Sequence, residues 1–153
     1  MKPLVLDARM TTMRGIFYPR GHVFALFPDE PSVLRAVQAL HAVGHAGDAA
    51  HAPPETLLHD VEHTLGSTAD APMPSVGAEG DMVRRIADWA RRGYHGLLIP
   101  VGDKSQVRAI VDCITPHGAA AALHYRMLVI EELIDSHDSG EQSVLVGTHA
   151  LAR

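Results

Sequence analysis

Residues 22–44 read HVFALFPDEPSVLRAVQALHAVG, and residues 95–118 read HGLLIPVGDKSQVRAIVDCITPHG. Each segment opens on a short apolar run rich in branched and aromatic residues, the composition of a buried strand. In the first, PDEPS supplies a turn and a helix start, with Asp29 or Ser32 as the cap. Val33, Ala36, Val37 and Leu40 then share one helical face, and Gly44 ends the helix. In the second, GDKS is the turn, Val107, Ile110, Val111 and Ile114 point inward, and Gly118 is the stop. A shift of 74 residues lays one segment on the other: Asp29 falls on Asp103, Val33 on Val107, Val37 on Val111, Leu40 on Ile114 and Gly44 on Gly118. Each unit is followed by a further strand, a weak one within DAAHA (48–52) and a firmer one within AAAALHYRMLVI (119–130). Two βαβ halves in one antiparallel sheet, with their helices on one face, make a ferredoxin-like sandwich of the α+β class.

Between the halves lie two more helical segments. PPETLLHDVEHTLG (53–66) begins with proline and ends with glycine, the usual asymmetry of a short helix. STADAPMPS (67–75) reads as a loop. GAEGDMVRRIADWARRG (77–93) is a helix whose apolar stripe is Met82, Val83, Ile86, Trp89 and Ala90. Residues 1–20 lack a clear period and read as an N-terminal arm. Residues 21–134 are the α+β domain, and residues 135–153 read as a flexible C-terminal tail, polar and aperiodic, mobile or used in assembly.

The chain of 153 residues has the length of one domain, and its 46% of hydrophobic residues can fill one core without disulfides or metals as staples. A single cysteine, Cys113, allows no intramolecular disulfide, which fits a cytoplasmic protein. No apolar stretch approaches the roughly 20 residues of a membrane span. The net charge of −5 argues against nucleic-acid binding.

A resemblance emerges from FALFPDEPSVLRAVQALHAVGH (24–45), followed by GAEGDMVRRIADWARRGYHGLLIPVGDKSQVRAIVDCITPHGA (77–119). The two runs resemble a small bacterial domain found in heat-induced general stress proteins. The likeness covers roughly residues 21–130 and lies in the strand–helix pattern and a few glycines. It implies a ferredoxin-like fold and an association with stress. It implies no catalytic residues. The N-terminal arm and the C-terminal tail depart from that pattern.

The chain holds 11 histidines, scattered along its length. His59 and His63 belong to HDVEH, the order of ligands and base in one class of zinc peptidases. One helical turn separates them, so they can share a zinc or another divalent transition metal. On a helical wheel they lie opposite Leu57, Leu58, Val61 and Leu65, facing solvent. A peptidase also requires a third ligand and a cleft, so the HxxEH match reads as coincidental and the protein as no enzyme. Arg84, Arg85, Arg91 and Arg92 fall on one face of the 77–93 helix, where guanidinium forks suit an anion or a partner. His124 and Tyr125 are neighbours in a strand, so alternation sends them to opposite faces and one of them inward. Cys113 reads as a buried, inert thiol.

The expectation that follows is a non-enzymatic, stress-associated domain that self-associates as a homodimer or homo-oligomer, or binds a protein or a small-molecule ligand. Exposed edge strands favour such pairing. Its alternatives are a metal-binding protein using His59 and His63, and an RNA-binding module.

Overall fold

A computed structural model describes residues 1–5, 10, 19–45, 49–69, 77–125 and 130–135, with the backbone alone for residues 62–69, 77–80, 131 and 135. In chain order the elements are β1 (Lys2–Pro3), β2 (His22–Phe27), α1 (Glu30–Ala42), β3 (Ala50–Ala52), α2 (Pro54–Ala69) and α3 (Gly77–Arg91). There follow β4 (His95–Pro100), α4 (Gln106–Ile114), a 3-10 turn (Thr115–His117), β5 (Ala121–Tyr125) and β6 (Ile130–Asp135). Among the described residues no helix is long and apolar enough to cross a membrane.

The strands form one sheet in the order β1-β3-β4-β2-β5-β6. Pairing is antiparallel between β3 and β4, β4 and β2, β2 and β5, and β5 and β6. The pair β1–β3 is parallel, so the sheet is mixed and departs from the all-antiparallel expectation. At the ends of this pair Lys2 N–H donates to Ala49 C=O (3.0 Å) and Leu4 N–H donates to His51 C=O (2.9 Å). The expected reading of residues 1–20 as an arm leaves this edge strand out. Residues 136–153 of the expected tail lie outside the described residues.

The two apolar runs that dominate the sequence are the two central strands. In β2, Val23, Ala25 and Phe27 pack with Val33, Ala36, Val37 and Leu40 of α1 and with Val107, Ile110 and Ile114 of α4. The alternate residues Phe24 and Leu26 pack on the other face, with Leu57 and Val61 of α2 and Met82, Val83, Ile86 and Trp89 of α3. The α1 and α4 helices share one face, as expected. The connecting helices α2 and α3 cover the opposite face, so the α+β fold has three layers. Burying a side chain such as Phe24 or Leu26 stabilises the fold by about 1.5–3 kcal/mol, and these layers bury such residues on both sides of each central strand.

The helix ends follow local chemistry. Asp29 caps α1 by accepting from Ser32 N–H (2.9 Å). The Ser32 hydroxyl, then its N–H, hold the Asp29 carboxyl below the usual range. The equivalent Asp103 acts differently: its carboxylate accepts from Ser105 N–H (2.8 Å), and Gln106 Oε1 accepts from Gly102 N–H (2.9 Å). α1 therefore starts directly after its aspartate, while α4 starts only at Gln106. Both units stop at a glycine in the left-handed region, Gly44 at φ 81° and Gly118 at φ 95°.

Candidate functional site

Among the described residues, one end of the α2/α3 face of the sheet carries a cleft. β2 begins there and β4 ends there, with His22 opposite Pro100 and Ala50 opposite Leu98. The cleft has a volume of about 590 Å³, and its walls include Lys2, Leu4, Val5, Arg20 and His22. Ala50 and Leu98 form the floor. Both are almost wholly buried in the sheet, so the floor is rigid.

Each basic group on the rim stands on backbone that is held in place. The β1–β3 bonds fix Lys2. The turn carrying Arg20 and His22 is clamped at Gly21, whose N–H donates to Tyr125 C=O (2.9 Å) and whose C=O accepts from Val101 N–H (2.9 Å). His22 Nδ1–H donates to Arg20 C=O (2.9 Å), because a carbonyl only accepts. That bond sets the tautomer and leaves Nε2 as the ring's other polar atom.

A second polar group lies on the other face, at the opposite end of the central strands. His51 of β3 and His95 of β4 meet with Nε2 and Nδ1 3.0 Å apart. Their rings are within 7° of coplanar, with centroids 5.3 Å apart. That separation matches the nitrogen–nitrogen distance plus the two ring radii, so the rings meet edge to edge rather than face to face. Their lone-pair directions run along one line, the geometry of a shared proton. His51 is 8% exposed. Burial first, and His95 beside it second, push its pKa below the ordinary histidine value, against an opposing pull from Glu30. His95 is half-buried and in turn helps to lower Asp29.

The residues singled out in the sequence are dispersed. The His59 side chain is 81% exposed and its Nδ1 lies 3.4 Å from Asp60. Leu57 and Val61 on the opposite side of α2 are buried, as the wheel requires. The side chains of Glu62 and His63 lie outside the described residues. Among the described residues, no three His, Cys, Asp or Glu side chains group to hold a metal ion. The four arginines, three in α3 and Arg92 just past its end, do not converge on one point. Arg84 pairs with Asp81 (3.0 Å) and Arg91 with Asp88 (3.2 Å) on the helix surface. Arg85 reaches Glu132 of β6 (2.9 Å), and Arg92 lies 4.5 Å over the Trp89 ring. His124 and Tyr125 do point to opposite faces, yet both are buried, because helices cover one face at each. Cys113 is half-buried, and burial raises its thiol pKa, as suits an unreactive group.

Sequence reading missed Lys2, Arg20 and His22 because the period-free segment they border offers no pattern. It missed the His51–His95 pair because the pairing depends on the register of β3 against β4. No protein-family model, curated protein or solved structure matches the chain.

Proposed function

We propose that this chain is a small-molecule-binding domain with a ferredoxin-like core, and that its ligand sits in the cleft beside β1. The observation that carries this reading is the cleft, about 590 Å³ in volume. Clefts that hold small ligands span roughly 300–1,000 Å³. Its walls come from β1 with Leu4 and Val5, from Met10, from the Arg20–His22 turn, and from β3 and β4. The groove between α1 and α4 beside Val43 is smaller, about 210 Å³.

The ferredoxin-like part of the proposal is supported by the strand order β3-β4-β2-β5, antiparallel throughout, with α1 and α4 on one face. β1 and β6 then extend the two edges, and α2 and α3 cover the second face. Kinship with the heat-induced general stress domain belongs to the same proposal. The chain acts as a binder, since the cleft offers apolar surface and cationic groups, the chemistry that holds a ligand. The test is a nuclear magnetic resonance titration of isotope-labelled protein with neutral and charged fragments. Shifts should gather at Lys2, Leu4, Val5, Gly21, His22, Ala50 and Leu98. Shifts that gather on another surface, or none from any fragment, would overturn the reading.

A further inference from the structure

We propose that the cleft takes an organic acid: one anionic head group, carboxylate or phosphate, on a small apolar body. This class of ligand presupposes the small-molecule site proposed above and specifies what fills it. Lys2, Arg20 and His22 line the cleft, and no aspartate or glutamate stands among its described lining residues. The chain as a whole has a net charge of −5, so the basic rim runs against the average charge of the molecule.

The availability of these charges matters as much as their sign. Among the described residues, no carboxylate pairs with Lys2 or Arg20, whereas Arg84, Arg85 and Arg91 each have an acidic partner. A guanidinium fork matches the two oxygens of a carboxylate or phosphate, and an ammonium adds a compact charge beside it. His22 stands beside them on the rim. With its Nδ1 proton given to Arg20 C=O, it donates to an anion only through a protonated Nε2. Backbone bonds place all three groups at one rim, and binding orders their side chains there.

The rest of the lining is apolar and includes Leu4, Met10, Ala50, Leu98 and Pro100. An inorganic anion would leave that surface wet, while an acid with a hydrocarbon or aryl body would cover it. A long polyanion such as RNA fits poorly, because the net negative charge beyond the rim repels it.

The test compares phenylacetate, phenyl phosphate and neutral phenylacetamide by calorimetry, with resonance shifts locating each. One of the two anions should bind at the cleft at least tenfold more tightly than the amide, and the tighter anion identifies the head group. Arg20→Met and Lys2→Met should each weaken that anion at least threefold, weaken it less at high salt, and leave the amide unaffected. Both positions are exposed, and an unchanged melting temperature would establish that the variants fold. An amide that binds in the cleft as well as the anions would overturn the acid class while keeping the site. Anion binding indifferent to both substitutions would do the same. Failure of all three probes to shift cleft residues would overturn the site itself, and the acid class with it.

Discussion

At Gly96 the packing between the central strands and α2 leaves no room for a side chain. A Cβ there would lie 2.7 Å from Phe24 Cζ, 2.9 Å from Phe24 Cε1 and 3.3 Å from Leu57 Cδ2. Only a hydrogen leaves room for the Phe24 ring to lie across β4. Gly96→Ala is therefore expected to cost about 1–3 kcal/mol in chemical denaturation. Combining it with Phe24→Leu should cost less than the sum of the single losses, because the shorter side chain vacates the contested space. Strict additivity would show that the ring is not what excludes the Cβ. His51 supplies a pH dependence at the same scale. Its folded-state pKa lies below its unfolded value, so the unfolded chain holds the proton more tightly. Its contribution is complete above the unfolded value, near about 6.5, and declines as pH falls from there to the folded value. Asp29 and Asp103 are held low instead, so their stabilisation begins to fade only as pH falls through the ordinary carboxylate range. The melting temperature should thus drop between about pH 7 and pH 5. His51→Gln, which can still accept from His95 without titrating, should flatten that drop. An undiminished slope in this variant would assign the acid loss to other groups.

At the scale of elements, α3 is tied to the sheet edge by a charge as well as by its apolar stripe. Arg85 donates to Glu132 of β6 at 2.9 Å, and the Glu132 side chain is 3% exposed. A buried carboxylate deprived of its cation is costly, whereas an exposed pair within one helix contributes little. Arg85→Ala is expected to lower stability by roughly 3 kcal/mol, against less than about 1 kcal/mol for Arg84→Ala. Replacing both partners, Arg85→Met with Glu132→Leu, should be milder than Arg85→Ala alone, since no buried charge is stranded. Urea midpoints for the three variants decide it. Equal losses for the two single arginine variants would remove the α3–β6 tie. Four arginines that share a face on a helical wheel thus divide into two surface pairs, one tether and one aromatic cover.

For the whole molecule, stability should grade from the centre of the sheet outward. β2 and β4 are flanked by strands on both sides and by helices on both faces, and Val23, Phe24, Ala25, Phe27, Leu97 and Ile99 are fully buried. β1 and β6 are the edges. Amide exchange should be slowest in β2 and β4 and fastest in β1, a two-residue strand at the edge of the sheet. Protection in β1 equal to that in β2 would mean that the edge folds with the core. The cleft beside β1 would then be fully preformed, without a loose wall.

Local periodicity determined much of this protein in advance. The apolar runs at 22–27 and 95–100 are strands, the 3.6-residue stripes are helices, and Gly44 and Gly118 end their units. The matching inward faces of α1 and α4 also put those helices on one side of the sheet. The same runs carried a hint of the third layer: HVFALF lacks the polar alternation that a strand with one wet face would show. Nothing local, however, says that α2 and α3 are what covers the second face, because that depends on where a connection folds back. Pairing across sequence is likewise a tertiary matter. Lys2 meets Ala49, and His51 meets His95, only once β3 takes its place between β1 and β4. A two-residue strand has too few residues to display a period, so β1 was invisible. The cleft it walls, with Lys2, Arg20 and His22 on the rim, arises where chain segments distant in sequence converge, and only the folded sheet brings them there.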